Sequence, residues 1–103
     1  MDRQETLQAM LSQDPRNTFA RYGLAMEHAK SGQLDEAVQE YRVLLENNPD
    51  YAAAYFHGGQ ALENLGRVEE ARQWYERGIE VTSRTGDAHT QSELQAALDL
   101  LPI

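Results

Sequence analysis

Apolar residues recur at helical spacing in six segments of the chain, and short polar or glycine-containing links separate these segments. This spacing is typical of amphipathic helices, and no segment shows the strict alternation that predicts a strand. We predict helices at about residues 6–12, 17–30, 34–46, 51–65, 68–81 and 87–100. Because the links are two to five residues long, consecutive helices should be antiparallel neighbours.

Residues that end or begin helices fall between these segments. Gly32 and Gly66 suit the left-handed position that follows a helix. Pro49 ends another helix because proline disfavours the helical conformation in the residue before it. Asp87 suits the N-cap of the last helix. These signals divide a single domain, residues 1–103, into a partial unit (1–16), two full units (17–50 and 51–85) and a C-terminal capping helix (86–103).

The two full units resemble each other with a period of 34 residues, the separation of Gly32 from Gly66. At this period, Ala20 aligns with Ala54, Glu36 with Glu70, Ala37 with Ala71, Gln39 with Gln73, Tyr41 with Tyr75 and Glu46 with Glu80. A repeat of this length implies stacked helical units, because one unit cannot bury its apolar face alone.

These residues resemble the tetratricopeptide repeat pattern. At the positions of this pattern the first unit has Leu24, Ala25, Ala37, Tyr41 and Pro49, and the second has Tyr55, Gly59, Leu62, Ala71 and Tyr75. Arg21, His28, Gly58 and Ser83 depart from it, at positions where the family has tryptophan, tyrosine, leucine and proline. The resemblance implies an all-α, antiparallel helix-turn-helix solenoid of about six helices that coils as a right-handed superhelix.

Small residues of the repeat indicate how the helices of one unit approach each other. We expect Ala25 and Gly59 on the first helices to lie close to Ala37 and Ala71 on the second helices. We expect Tyr41 and Tyr75 to fill the space toward the next unit, and Trp74 to be partly exposed on the convex side. Two explanations of Gly58 stay open: a locally weakened helix, or room for a neighbouring helix.

Composition narrows the classes of partner. The chain has 17 acidic and nine basic residues, a net charge of -8, and no cluster of basic residues. Nucleic acid and anionic membranes are therefore not expected partners. The absence of cysteine excludes disulfides and thiolate chemistry. The sequence shows neither a signal peptide nor a membrane-length apolar run, so we expect a cytoplasmic protein.

A catalytic function finds little support in the sequence. The run His57-Gly58-Gly59 could form an oxyanion-hole loop, but the serine elbow that such an enzyme needs is missing. His28, His57 and His89 do not have the spacing of a helical metal pair. We therefore expect no enzyme, no metal site and no cofactor.

The resemblance implies that a concave groove binds another protein or a peptide. It assigns eight groove residues to the first helices of the two units: Phe19, Tyr22, Met26, Lys30, Phe56, His57, Gln60 and Asn64. Some of the aromatic residues could instead pack internally. Chaperone-binding members hold a terminal carboxylate with Lys, Asn and Arg side chains, whereas the matching positions here include Tyr22, Met26 and His57. We therefore expect an apolar-aromatic groove.

Self-assembly is the alternative function. The chain begins on a half-unit, so we expect the apolar face formed by Leu7, Met10 and Leu11 to be open. Such a face could pair with a second copy and give a homodimer or a larger homo-oligomeric scaffold.

Overall fold

The computed structural model describes residues 1–103 and contains six α-helices and no strand. The helices are α1 (Arg3–Gln13), α2 (Thr18–Lys30), α3 (Leu34–Asn47), α4 (Ala52–Asn64), α5 (Val68–Thr85) and α6 (Ala88–Asp99). Each helix packs against the next, and α4 also contacts α2 and α6. The all-α prediction is confirmed, and the three helices α2, α4 and α6 form one side of the stack.

Local signals set the helix ends largely as predicted. Gly32 and Gly66 have φ of 78°, in the left-handed region that glycine adopts without a Cβ clash. The side chain of Asn17 accepts a hydrogen bond from the backbone N–H of Ala20 at 3.0 Å. Asp87 accepts in the same way from Thr90 at 3.1 Å, so it is the N-cap of α6 as predicted.

Two helices are longer than predicted. Helix α1 begins at Arg3 because the side chain of Asp2 caps it, accepting from the N–H of Glu5 at 2.8 Å. Helix α5 continues to Thr85 and does not end near Val81. The extra turn buries Thr82, whose hydroxyl donates to the carbonyl oxygen of Gly78 at 2.9 Å, and this explains the extension.

The repeat positions form the core of the stack. Leu24, Ala25, Ala37 and Ala71 are almost completely buried. Pro49 is exposed, and its carbonyl oxygen accepts a hydrogen bond from the hydroxyl of Tyr55 at 2.8 Å.

The adjacent glycines of α4 make room for two adjacent aromatic rings of α5. A Cβ placed on Gly58 would lie 2.5 Å from Cε3 of Trp74 and still nearer to Cζ3. A Cβ placed on Gly59 would lie 2.8 Å from Cδ1 of Tyr75 and nearer to Cε1. The second explanation of Gly58, room for a neighbouring helix, is the one that the structure supports.

Trp74 is not exposed on the convex side, and that prediction is wrong. The side chain is only 6% exposed, because its ring lies over Gly58. The ring of Tyr55 meets it edge-on with the centroids 6.4 Å apart, and the guanidinium of Arg42 lies 5.6 Å from its centroid. Such a cation over an indole face is attractive.

Both core tyrosines contact the first helix of their own helical pair. The hydroxyl of Tyr41 donates to the sulfur of Met26 at 3.1 Å. The ring of Tyr75 lies against Gly59, and its hydroxyl donates to Glu63. These contacts lie within one helical pair, so the prediction that the rings fill the space toward the next unit needs correction. The small size of Gly59 makes room for the ring of Tyr75.

The apolar face of α1 is closed by α2, contrary to expectation. Leu7 is 2% exposed and packs with Ala20 and Leu24, while Met10 and Leu11 cover the same small cluster. Leu7 reaches α2 because Gly23 is small; a Cβ on Gly23 would lie 3.1 Å from Cδ2 of Leu7.

None of the six helices is both long enough and apolar enough to cross a membrane.

Candidate functional site

A groove of about 680 Å³ runs between α2 and α4. Its lining includes seven of the eight predicted groove residues, namely Phe19, Tyr22, Met26, Lys30, His57, Gln60 and Asn64. These residues come from two helices with the same orientation in the stack, so that positions one turn apart along each helix face the same cavity. We call this cavity the α2–α4 groove.

Aromatic contacts between helices form the floor of the α2–α4 groove. The ring of Tyr22 lies 5.2 Å from that of Tyr51 and 5.9 Å from that of His57, measured between centroids, and both contacts are edge-on. Tyr22 also lies 6.1 Å from Tyr41. Edge-on contacts of this kind stabilise a fixed ring arrangement, so the floor is preformed.

Two apolar side chains of α2 remain accessible in this groove. Phe19 is 65% exposed and Met26 is 37% exposed. Phe19 is therefore neither packed internally nor covered by the C-terminal helix. Exposed phenylalanine and methionine side chains are enriched at the centre of protein interfaces.

The polar rim of the α2–α4 groove carries a net positive charge. Arg3 and Glu27 form an ion pair with Nε and Oε1 2.9 Å apart, so their charges cancel. Lys30, the only lysine of the chain, is exposed and forms no such pair. Gln60 and Asn64 add exposed amide groups on α4, each able to donate and accept hydrogen bonds.

The structure separates Phe56 from the other seven predicted residues. Phe56 lies in a second cavity of about 370 Å³, between α4 and α6, which we call the α4–α6 groove. Its lining is Phe56, Gln60, Glu63, Glu93, Ala96, Ala97 and Leu100. Because Gln60 lines both grooves, the two cavities are adjacent along one side of the stack.

His57 lies between the aromatic rings of Tyr22 and Phe56. Burial lowers the pKa of His57 below its ordinary value, although a hydrogen bond with Gln60 and the nearby charge of Glu93 oppose the shift. The imidazole is therefore held toward its neutral form, which suits an apolar floor.

Several lining residues were not predicted from the sequence. Arg3 and Glu27 belong to the α2–α4 groove, and Glu93 and Leu100 belong to the α4–α6 groove. The 34-residue period does not indicate Glu93 as a groove residue, because it aligns Glu93 with Gly59, which packs against Tyr75. Arg3 carries no such signal, since it reaches the groove from the end of α1.

Two catalytic features considered for the sequence, a metal site and an oxyanion-hole loop, are not formed. No three histidine, aspartate or glutamate side chains are placed to hold a metal ion. The run His57-Gly58-Gly59 lies inside α4, so it cannot form an oxyanion-hole loop.

Comparison with known proteins agrees with this architecture. A model of the tetratricopeptide repeat matches residues 4–49 and 22–88, and together these ranges span most of the chain. The chain belongs to the tetratricopeptide repeat family.

Relatives by sequence and similar solved structures also contain tetratricopeptide repeats. A TPR repeat-containing protein of Pseudomonas aeruginosa is 28% identical over 94 residues, which cover 91% of this chain and 90% of that protein. A tetratricopeptide repeat domain protein from Salinibacter ruber is 40% identical, with a TM-score of 0.77 over 82% of this chain and 86% of that one. PcrH, solved in complex with the chaperone binding region of PopD, has a TM-score of 0.88 at 18% identity, over 93% of this chain and 73% of that one. At this low identity the likeness to PcrH shows the fold alone.

Proposed function

We propose that this chain is a protein–protein interaction module that binds a peptide segment in the α2–α4 groove through apolar and aromatic contacts. The observation that carries the proposal is the pair of accessible side chains, Phe19 and Met26, above a preformed floor of aromatic rings. An interface with a rigid aromatic floor loses little conformational entropy on binding.

The size of the cavity agrees with this function. A volume of about 680 Å³ falls within the range of pockets that bury most of a small ligand, so it can hold several side chains of a peptide. His57 is the only side chain of the floor whose ordinary pKa lies near physiological pH. Burial lowers this pKa and favours the neutral imidazole. A terminal carboxylate would find one lysine here and no clamp of several cations.

The complex of PcrH with a region of PopD supports the assignment by analogy. That protein has the same fold and is solved with a segment of another protein.

A displayed library of random peptides tests the proposal. Peptides selected on the immobilised protein should bind the double variant Phe19→Ala, Met26→Gln about tenfold or more weakly, because two central apolar contacts are lost. Glutamine keeps helix propensity and an acceptor for the Tyr41 hydroxyl. The matched control is Ile103→Ala, which removes an exposed apolar side chain outside both grooves.

Nuclear magnetic resonance locates the bound peptide independently. We expect backbone amide shifts on addition of a selected peptide to cluster on α2 and α4. Equal binding by the double variant, or shifts that cluster on α3 and α5, would refute the proposal.

Self-association through the C-terminal helix is the second candidate function. The specific observation in its favour is Leu100, which is 84% exposed at the end of α6. The N-terminal route is less favoured because α2 covers Leu7. Light scattering over a concentration series should detect a dimer that Leu100→Ser disrupts, and a monomer at high micromolar concentration would contradict this candidate.

A further inference from the structure

The two adjacent grooves carry opposite charge. The α2–α4 groove contains Arg3, Lys30 and Glu27, which sum to one positive charge, and the α4–α6 groove contains Glu63 and Glu93, which sum to two negative charges. We propose that the bound segment is itself charge-polarised, with an acidic side chain at α2, apolar side chains over α4 and a basic side chain at α6. This inference rests on the proposed function and specifies its ligand.

The charges at both ends are free to act on a ligand. Lys30 has no ion-pair partner. The ion-pair partner of Glu93 is His89, with Oε1 and Nε2 3.5 Å apart, and His89 is charged only when protonated. Glu63 accepts a hydrogen bond from Tyr75, a neutral donor that leaves the carboxylate charge uncompensated. Burial raises the pKa of Tyr75, so its hydroxyl stays protonated.

The centre between these charges is neutral and continuous. Gln60 lines both grooves and links them, with Met26 on the positive side and Phe56 on the negative side. A segment that lies across both grooves therefore meets a cation, then apolar surface and amides, then two carboxylates. Complementary charges at the ends of an interface select orientation and register more than they raise affinity.

The spacing of the helices sets the length of the segment. Neighbouring helices pack about 8–10 Å apart, so α2 and α6 are separated by roughly 16–20 Å across α4. An extended chain covers this distance in about five or six residues. The acidic and basic side chains of the ligand should be separated by about that number of residues.

A library of random peptides about twelve residues long, selected on the full chain, tests the inference, because such peptides exceed the required span. Some selected peptides will not bind the Phe19→Ala, Met26→Gln variant, and these depend on the groove. They should carry an acidic residue on one side of an apolar stretch and a basic residue on the other. A charge-swapped variant, Lys30→Glu with Glu93→Lys, should bind them about three- to tenfold more weakly. The swap makes the α2–α4 groove negative and the α4–α6 groove neutral, so the variant should itself select peptides whose basic side chain lies at α2. Spin labels on these peptides should place the acidic end at α2 in the native protein and the basic end there in the swapped variant.

A control variant exchanges two charges outside both grooves, to test whether the effect depends on the position of the charges. Arg16→Glu with Glu76→Lys makes the same charge change at exposed positions outside both grooves and should leave the affinity unaltered. Groove-dependent peptides without charge bias, or the same orientation on both proteins, would overturn the inference and leave the proposed function standing. Selection of no groove-dependent peptide at all would overturn both.

Discussion

Replacing Gly58 by alanine should destabilise the protein, although alanine is the better helix former. In an open helix this exchange stabilises by about 1 kcal/mol. Here the new Cβ would lie 2.5 Å from Cε3 of Trp74 and nearer to Cζ3, which is closer than packed carbon atoms tolerate. These are rigid ring atoms of a buried side chain, so the ring as a whole must move.

The magnitude follows from two opposing terms. Overpacking a core typically costs about 1–3 kcal/mol, and the helix-propensity gain offsets about 1 kcal/mol of it. We therefore expect a net loss of up to about 2 kcal/mol in the free energy of unfolding. When Trp74 is already alanine, the obstruction is gone, and the same exchange at Gly58 should stabilise by about 0.5–1 kcal/mol.

Urea unfolding followed by far-ultraviolet circular dichroism measures all four proteins of this double-mutant cycle. The circular dichroism signal is needed because Trp74 is the only tryptophan of the chain. Trp74→Ala alone should cost about 3–5 kcal/mol, which a domain of this size can tolerate when studied at low temperature. The diagnostic quantity is the coupling between the two sites, about 1–3 kcal/mol.

Gly23→Ala is the matched control within a helix. Its Cβ would meet the terminal methyl groups of Leu7, at 3.1 and 3.3 Å, and Nη2 of Arg3 at 3.5 Å; these are the ends of flexible side chains and can move aside. This variant should be near neutral or slightly stabilising. If Gly58→Ala stabilised the native protein, or had the same effect with and without Trp74, the explanation of the paired glycines would be refuted.

Three further predictions concern stability. Arg21→Ala should lower the free energy of unfolding by about 2 kcal/mol, because it leaves the carboxylate of Glu40 unpaired. Nη1 of Arg21 lies 2.5 Å from Oε1 of Glu40, and both side chains are mostly buried. Equal stability of the variant and the native protein in chemical denaturation would contradict this prediction. Asn17→Ala should cost about 1 kcal/mol through loss of the α2 cap, whereas Asn17→Ser, which keeps an acceptor oxygen at the N-cap, should change little in the same assay. Because burial lowers the pKa of His57 below 6.5, the unfolded chain binds the proton first, so stability should fall as the pH drops through 6.5. His57→Gln should reduce this fall in urea titrations, and an unchanged pH dependence in His57→Gln would exclude the assignment.

The stack was predictable because its signals are local. Gly32 and Gly66 end helices through their own backbone conformation, and Asp87 caps α6 within one turn. The 34-residue period then determines which helices are neighbours. By contrast, the burial of Trp74 depends on Gly58, a residue on a different helix, and no pattern along the chain links the two. The same holds for Leu7, which α2 covers through Gly23.

The grooves were only partly predictable, and the repeat itself explains why. Positions that hold the units together are identical at the 34-residue period, such as Ala20 and Ala54 or Tyr41 and Tyr75. Groove positions differ at that period: Met26 aligns with Gln60, and Lys30 aligns with Asn64. Stacking constrains buried positions but not side chains that face the groove, so the repeat pattern identifies most groove positions but not the residue types that occupy them. The cationic end comes from Lys30, which the second unit replaces with Asn64, and the anionic end comes from Glu63 on α4 and Glu93 on α6. Two identical units alone would not separate charge in this way.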